Sequence, residues 1–197
     1  MSKIFYLMGK SASGKDTIYK KLKDIFPELK TVVIYTTRPI RSNETEGVDY
    51  HFVDENKLWE LQKNGKVIEA RAYNSAHGIW TYFTVDDGQF DEDVNYIAIG
   101  TLESFVKLKK YFGEDRVIPI YIEVEDGLRL ERALARERAM KDPKYKEMCR
   151  RFLADTEDFS EEKIEEAGIP HKFFNIDMEK CVEEIVLGIR DNLCYTE

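Results

Sequence analysis

The chain has 197 residues, of which 43% are hydrophobic and 35% charged, a composition typical of one globular domain with a substantial core. The net charge of −8 argues against a nucleic-acid polymer as partner, because phosphate backbones attract basic surfaces. No apolar run reaches the roughly 20 residues of a membrane span, and no signal-peptide pattern opens the chain, so we expect no membrane contact and a cytoplasmic location.

The first motif is a glycine-rich loop between a predicted strand and a predicted helix. Residues 4–8 are apolar and β-prone, and residues 17–25 bring apolar side chains back at helical spacing. The glycines between them would let backbone N–H groups wrap around a phosphate at the helix start. The alternative is a plain turn that caps the helix. The residues that we expect to bind nucleotide phosphates are Gly9, Ser11, Ala12, Ser13, Gly14, Lys15, Asp16 and Thr17.

The residue after the loop lysine departs from the usual pattern. Lys15 is placed to reach the outer phosphates, and a Ser or Thr normally follows such a lysine and holds magnesium. Here Asp16 follows, with Thr17 one place later. Because carboxylates are natural magnesium ligands, we expect Asp16 to hold Mg²⁺ through a water molecule, with help from Thr17.

Strand-like and helix-like segments alternate along the rest of the chain, which predicts an α/β fold with a parallel five-stranded core sheet flanked by helices. Between residues 36 and 93 the pattern breaks into short pieces, which indicates an inserted lobe. Amphipathic helices of this kind are compatible with a monomer or an oligomer. The later predicted strands cover residues 31–35, 96–99, 117–122 and 171–175, and the later predicted helices cover residues 55–64, 101–111, 126–139, 145–159 and 178–193.

Three motifs at fixed spacing carry a resemblance to a known family. They are Tyr-Thr-Thr-Arg-Pro at 35–39 with Arg41, Gly-Val-Asp-Tyr-His-Phe-Val at 47–53, and Val-Ile-Glu at 67–69. Together they resemble the GMP-binding lobe of guanylate kinase, and the resemblance runs from about Lys3 to Ile189. It implies a P-loop NTPase fold in a single domain over 1–197, with a core (1–35, 94–128 and 160–197), a nucleoside monophosphate-binding lobe (about 36–93) and a helical lid (about 129–159).

The resemblance also implies the reaction, a magnesium-dependent phosphoryl transfer from ATP to GMP or dGMP that yields ADP and GDP. Guanidinium groups suit a phosphate dianion because they form paired hydrogen bonds and keep their protons. A glutamate at position 69 would accept hydrogen bonds from guanine N1 and the amino group. The alternative is that Arg38 and Arg41 form surface ion pairs and Glu69 is solvated. The implied acceptor-binding residues are Thr37, Arg38, Arg41, Tyr50, Glu69, Tyr82 and Thr101.

The segment 129–151 resembles the family's lid. By similarity, Arg136 and Arg151 are catalytic with Lys15, because they would stabilise charge on the transferring phosphoryl group. We interpret Arg129, Arg132 and Arg138 as partners in intrahelical ion pairs. Asn175 lies where the family contacts adenine of ATP, and a buried strand-end cap is the alternative.

Four departures from the family keep other functions open. They are Asp16, Ile34 in place of a serine near guanine, Ile99-Gly100-Thr101 in place of two aspartates, and the 77–82 segment, where Tyr82 substitutes for a tyrosine out of register. The loop and the Gly-Thr pair are similar to ribose 1,5-bisphosphate phosphokinase, so a ribose phosphate is the alternative acceptor. A catalytically silent module that binds phosphopeptides is a third hypothesis.

Overall fold

The computed structural model describes residues 2–75 and 78–194. Within these ranges the strands form two sheets, one of five strands and one of four. The strands are β1 (Ile4–Met8), β2 (Lys30–Thr31), β3 (Tyr35–Thr36), β4 (His51–Phe52), β5 (Val67–Ser75), β6 (Gly78–Val85), β7 (Tyr96–Gly100), β8 (Val117–Glu123) and β9 (Lys172–Phe174).

The helices connect these strands and cover the larger sheet. Several begin at the capping residues that the sequence offers: Asp54, Thr101 and Ser160 each accept a backbone N–H at a helix start. The helices are α1 (Lys15–Ile25), α2 (Glu55–Lys63), α3 (Leu102–Phe112), α4 (Asp126–Arg138), α5 (Tyr145–Asp158), α6 (Glu161–Glu166) and α7 (Met178–Cys194).

The five-stranded sheet is parallel throughout, with the order β2-β7-β1-β8-β9. This confirms the predicted α/β class and the parallel core sheet. Side chains of β1 alternate between two apolar layers, with Phe5 and Leu7 on one face and Ile4, Tyr6 and Met8 on the other. Because all five are buried, β1 is the centre of the core, and both its neighbours carry the same continuous apolar pattern.

The run over residues 31–35 differs from the prediction of one buried strand. Val32 still donates its backbone N–H to Ile97 of β7, but the carbonyl of Ile34 accepts from His51 in the other sheet. The backbone therefore changes sheets after Val32, and the run is divided between β2 and β3. The reason is that hydrogen bonding beyond residue 33 is satisfied by the inserted segment and not by the core.

The four-stranded sheet has the order β4-β3-β6-β5 and is mixed. We call it, together with α2, the insert lobe. Its largest part is the antiparallel β5–β6 pair, which has a register irregularity between Val67 and Glu69 and lies beside α3. His77, which belongs to the departing 77–82 segment, lies outside the described residues. None of the helices in the described ranges is both long and apolar enough to cross a bilayer.

Candidate active site

The loop between β1 and α1, residues 9–14, has a backbone that only small residues permit. Gly14 has a φ of +86°, and a Cβ atom at Gly9 would lie 2.6 Å from the carbonyl oxygen of Ile122 in β8. Ala12 also has a positive φ, +62°. The loop closes with hydrogen bonds from Thr17 and Ile18 to the Gly14 carbonyl, which start α1. We call residues 9–14 the nucleotide loop, and its strand, loop and helix order matches the sequence prediction.

Lys15 and Asp16 lie side by side at the start of α1. The Lys15 ammonium is 3.5 Å from the Asp16 carboxylate, and the two side chains are 22% and 79% exposed. Thr17 is exposed as well. A partly exposed cation and an exposed carboxylate at the N-terminus of a helix can meet a polyphosphate and its cation. This placement is compatible with the predicted roles of Lys15, Asp16 and Thr17, which stay predictions.

Asn175 follows β9 and lies beneath the nucleotide loop. It is fully buried, and its side-chain amide donates to the Ser13 carbonyl over 2.7 Å. A Cβ atom at Gly14 would lie 2.5 Å from that amide nitrogen, so loop and amide are in close contact. This geometry fits the buried strand-end cap, because the amide group donates to the loop backbone and is covered from solvent. The expected adenine contact stays a prediction.

Arg129 is buried between α4, α5 and the nucleotide loop. It pairs with Asp126 three positions earlier, as expected, but it is only 1% exposed. Its guanidinium also donates to the Ser11 carbonyl over 3.0 Å and lies 4.5 Å from the ring centre of Phe152. Arg129 therefore forms the expected intrahelical pair and also makes buried contacts with the nucleotide loop and Phe152, which were not predicted. Its spacing on α4 with the buried Ala133 was the available signal, since positions four apart share a helix face.

Asp155 reaches the same loop from α5. Its carboxylate accepts the Ser11 backbone N–H over 2.7 Å, and Arg129 lies 3.5 Å from the same oxygen. Arg132 on α4 donates to the Asn175 carbonyl over 3.0 Å. Side chains of α4 and α5 thus bind the Ser11 backbone N–H and carbonyl and the backbone after β9. These contacts of Asp155 and Arg132 were not predicted from the sequence.

The two predicted lid arginines lie on helix surfaces. Arg136 is exposed on α4, and Arg151 is exposed on α5, where it pairs with Glu147 at 3.2 Å. Arg150 shares this carboxylate, and hydrogen bonds from Arg150 together with the charge of Arg151 hold the pKa of Glu147 below its ordinary value. Catalytic roles for Arg136 and Arg151 stay predictions.

Arg38 is the centre of a cluster in the insert lobe. It is 3% exposed and donates from Nε to the Tyr82 hydroxyl over 2.9 Å, and its guanidinium carbon lies 5.4 Å from the ring centre of Tyr50. Tyr50 and Tyr82 pack edge to face with ring centres 5.7 Å apart. The structure therefore brings together three predicted acceptor-binding residues, and the alternative of a surface ion pair for Arg38 is wrong because the side chain is buried.

Glu44, which the sequence analysis did not single out, occupies the fork of Arg38. Its two oxygens accept from Arg38 at 2.7 and 2.9 Å, and it also accepts the backbone N–H of Arg41. These hydrogen bonds hold the pKa of Glu44 below its ordinary value. Arg41 is itself exposed. Thr37 uses its hydroxyl to accept the Thr81 backbone N–H over 2.9 Å, so it joins β6 to the start of this cluster.

Glu69 is buried on β5, and Arg71 covers its carboxylate. Arg71 donates from Nε over 2.9 Å and from a terminal nitrogen over 3.2 Å, and Thr84 donates to the same carboxylate over 2.8 Å. The alternative of a solvated Glu69 is therefore wrong, since its side chain is fully buried. Arg71 was not predicted as a partner of Glu69, although residues two apart share a strand face.

Arg71 also connects the insert lobe to the core sheet. Its other terminal nitrogen donates to the Thr101 hydroxyl over 3.3 Å, and Thr101 caps α3 at the end of β7. Burial opposes the charge of Arg71, but the neighbouring Glu69 offsets this and the pKa of Arg71 is raised. A cavity of about 560 Å³ opens here. It is lined by Ala70, Arg71, Ala72, Tyr73, Thr101, Leu102, Glu103, Asp158 and Lys163.

Comparisons with known proteins agree with this architecture. The family model described as guanylate kinase matches residues 1–81. A guanylate kinase of Syntrophotalea carbinolica is 36% identical over 76 residues, which are 38% of this chain and 36% of the relative. A guanylate kinase of Frankia casuarinae is 43% identical over 63 residues, 32% of this chain and 34% of the relative. The chain thus spans about a third of the length of these curated relatives.

The structural comparison extends over more of the chain. A crystal structure of guanylate kinase from Anaplasma phagocytophilum superimposes with a TM-score of 0.68, at 20% sequence identity, and covers 96% of this chain and 85% of that one. At this identity the likeness concerns the fold alone. Residues 1–81 are similar to the guanylate kinase family model, and the chain has the fold of a solved guanylate kinase.

Proposed function

We propose that the chain transfers the γ-phosphoryl group of ATP to the phosphate of GMP or dGMP, with Mg²⁺, and releases ADP and GDP. The observation that carries this proposal is the pairing of the nucleotide loop with the cluster of Arg38, Tyr50 and Tyr82 in one fold. The match of residues 1–81 to the guanylate kinase model supports the same reaction. The cytoplasmic location stays a prediction.

The donor half consists of the nucleotide loop, Lys15 and the start of α1. Backbone N–H groups and the partial positive charge of the helix end would bind the phosphates, and the exposed Lys15 ammonium would reach the outermost one. Asp16 would hold the magnesium ion, which supplies positive charge against the phosphate oxygens when it is bound. Mg²⁺ usually takes one or two protein carboxylates and completes its shell with water and phosphate. An exposed, single carboxylate fits that demand.

The acceptor half consists of the arginine and tyrosine residues of the insert lobe. The exposed Arg41 and the hydroxyls of Tyr50 and Tyr82 would contact the acceptor phosphate, with Arg38 behind them. Glu44 already fills the fork of Arg38, so the remaining N–H of that guanidinium and its positive charge are what it offers to a phosphate. Thr37 and Thr101 would border the acceptor.

The chemistry requires no covalent intermediate. An oxygen of the acceptor phosphate attacks the γ-phosphorus directly once the two phosphates are in line, and ADP leaves. The residues act by position and charge: Lys15 on the donor side, and Arg136 and Arg151 after α4 and α5 approach the substrates. Exclusion of water at that stage would prevent hydrolysis of ATP.

A second candidate acceptor is a ribose phosphate such as ribose 1,5-bisphosphate. The observation that favours it is the buried Glu69–Arg71 pair, because a carboxylate that is occupied by a guanidinium has less capacity for guanine. The loop ending in Gly-Lys-Asp and the Gly100-Thr101 pair after β7 fit this candidate as well.

The test is ADP formation by the purified protein with ATP and magnesium in the presence of single acceptors. GMP, dGMP, AMP, CMP, UMP and ribose 1,5-bisphosphate would be compared in parallel. We expect turnover with GMP and dGMP. Turnover with the sugar phosphate alone would move the function to the second candidate, and the absence of ADP formation with every acceptor would contradict a kinase.

A further inference from the structure

The buried pair of Glu69 and Arg71 lies where recognition of guanine by Glu69, as expected from the sequence, would require a free carboxylate. Guanine presents two donors on one edge, N1–H and the 2-amino group, and both must meet carboxylate oxygens if Glu69 is to recognise the base. In the structure one oxygen of Glu69 accepts from Thr84 and Arg71, and the other accepts from Arg71. The side chain has no exposed surface. Arg71 therefore holds the hydrogen-bonding position that guanine would take.

The position of Arg71 is fixed by its surroundings. Glu69 pairs with Thr84 and Arg71 with Tyr82 in the register of the β5–β6 ladder, so both side chains start from paired strand positions. The third nitrogen of Arg71 is held by Thr101 of the core. The guanidinium is thus attached at both ends, and a rotation that releases Glu69 would also break the contact with Thr101.

The charge balance favours the observed pairing. Removing an ion from water is costly, and a buried charge is stabilised chiefly by a close opposite charge with well-formed hydrogen bonds. Guanine is neutral, so its two donors replace a charged fork only at a net loss. A carboxylate without such a partner would instead gain from guanine, and it would gain less from a base that has one donor on that edge.

We propose that Arg71 is a specificity-determining residue that competes with guanine for Glu69, so that the site distinguishes weakly between GMP and a purine monophosphate that lacks the 2-amino donor. Arg71 acts through Glu69 and need not contact the acceptor. This inference rests on the proposed function in one respect, the position of the acceptor base near Glu69. The inference predicts the ratio of the affinities for GMP and IMP, whereas the proposed function predicts turnover.

The test compares GMP with IMP, which lacks only the 2-amino group. Dissociation constants for both would be measured by isothermal titration calorimetry on the full chain and on the Arg71→Ala variant. We expect a ratio near one for the unchanged chain and a preference for GMP that is greater by roughly tenfold or more in Arg71→Ala, because one hydrogen bond to a charged group is regained. A merely structural role of Arg71 would weaken GMP and IMP equally.

Three further variants keep the test decisive. Arg71→Gln retains a donor for the buried carboxylate in case Arg71→Ala does not fold, and it should shift the ratio in the same direction. Adding Glu69→Gln to either Arg71 variant should abolish the gain, because the effect acts through that carboxylate. Lys107→Ala is the matched control, since this exposed lysine contacts the Ala70 carbonyl of the same strand without touching Glu69.

The outcomes separate the inference from the proposed function. An unchanged GMP to IMP ratio in Arg71→Ala and Arg71→Gln would overturn the inference even if the chain turns over GMP rapidly. The same holds if neither nucleotide binds to any variant. A raised ratio together with no ADP formation would support the inference and contradict the kinase reaction.

Discussion

The nucleotide loop and the insert lobe present their binding groups in opposite ways. The loop is shaped by backbone: Gly9 and Gly14 allow its path, and Lys15 and Asp16 at its end remain open to solvent. The lobe is shaped by side chains, with Arg38 held by Glu44 and Arg71 held by Glu69. These two guanidinium groups are buried and each is paired with a carboxylate.

The contrast between a backbone-shaped loop and a lobe of buried ion pairs predicts different substrate selectivity for the two regions. A backbone cradle binds phosphate in a way common to all nucleoside triphosphates, since N–H groups carry no base information. A set of buried ion pairs is specific, because each new ligand competes with a partner already present. We therefore expect substitutions in the loop to affect catalysis broadly and substitutions in the lobe to affect acceptor choice and stability.

The largest effect should follow from Lys15→Ala. This change removes the charge that we propose contacts the outer phosphates, and we expect turnover to fall by roughly 100-fold or more. The fold should persist, because the only contact of the ammonium among the described ion pairs is the 3.5 Å approach to Asp16. Lys21→Ala, on the same helix and paired with Glu179, is the control. Equal activity of both variants would remove Lys15 from the mechanism.

Gly14→Ala tests whether backbone alone shapes the loop. The residue has a φ of +86°, and a Cβ atom would lie 2.5 Å from the Asn175 amide nitrogen, so strain and displacement add. We expect a loss of about 2–4 kcal/mol in the free energy of unfolding, measured by urea denaturation.

Gly65→Ala separates these two causes. Gly65 also has a positive φ, +66°, but no described atom lies within 4 Å of its Cβ position. Its expected cost is about 1–2 kcal/mol, which is the backbone strain alone. A cost for Gly14→Ala no greater than this would show that the contact with Asn175 is unimportant.

Glu44→Gln breaks the charged pair of the insert lobe while keeping its shape. We expect a loss of about 1–3 kcal/mol in unfolding free energy at pH 7, since hydrogen bonds to charged groups are lost. The pKa of Glu44 is lowered in the folded state by Arg38. Its stabilisation is therefore present above the ordinary carboxyl pKa of about 4.3 and is lost as the pH falls through the lower folded value.

The measurement is urea unfolding between pH 7 and pH 3. The stability difference between the unchanged chain and Glu44→Gln should shrink as the pH falls. Glu60→Gln, in an exposed pair with Lys57, should change stability by less than about 1 kcal/mol and show no such trend. A difference that is constant with pH would contradict the assigned charge pair.

Tyr6→Phe should have the smallest effect at neutral pH, about 1 kcal/mol, because it removes one hydrogen bond with Ser104. Burial raises the pKa of Tyr6 to about 12, and Arg71 and Glu69 lie close enough to act on it. The folded pKa exceeds the unfolded value of about 10, so the stability is complete below pH 10 and is lost between pH 10 and about 12.

Unfolding titrations between pH 8 and pH 11.5 would test this difference. The loss of stability on the alkaline side should be smaller in Tyr6→Phe than in the unchanged chain. If the free energy of unfolding falls equally with pH in both proteins, the Tyr6 phenol is not buried in the folded state.

Local patterns in the sequence were sufficient for most of the fold. Periodicity located the central strands and the long helices, and the capping residue Thr101 marked the start of α3. The division of residues 31–35 between two sheets could not be predicted, because it depends on hydrogen bonds with the distant His51. The short helix α6 was also missed, since six residues give too little periodicity.

The site was predictable where a motif lies in one segment and not where partners come from several. Lys15 and Arg38 could be located from neighbouring residues. Asp155 binds a peptide 144 positions away, and no local signal indicates such a contact. Arg71 is different, because it lies two residues from Glu69 on one strand and could have been recognised as a competitor for its carboxylate.

The central claim is that the nucleotide loop and the insert lobe are two halves of one phosphoryl-transfer site. The most direct test is the affinity of adenosine and guanosine joined 5′ to 5′ by a pentaphosphate, measured by calorimetry against ATP and GMP separately. We expect the joined compound to bind at least about tenfold more tightly than either nucleotide, and both Lys15→Ala and Arg41→Gln to weaken it. An affinity no greater than that of ATP alone, or no loss in Arg41→Gln, would contradict a shared site.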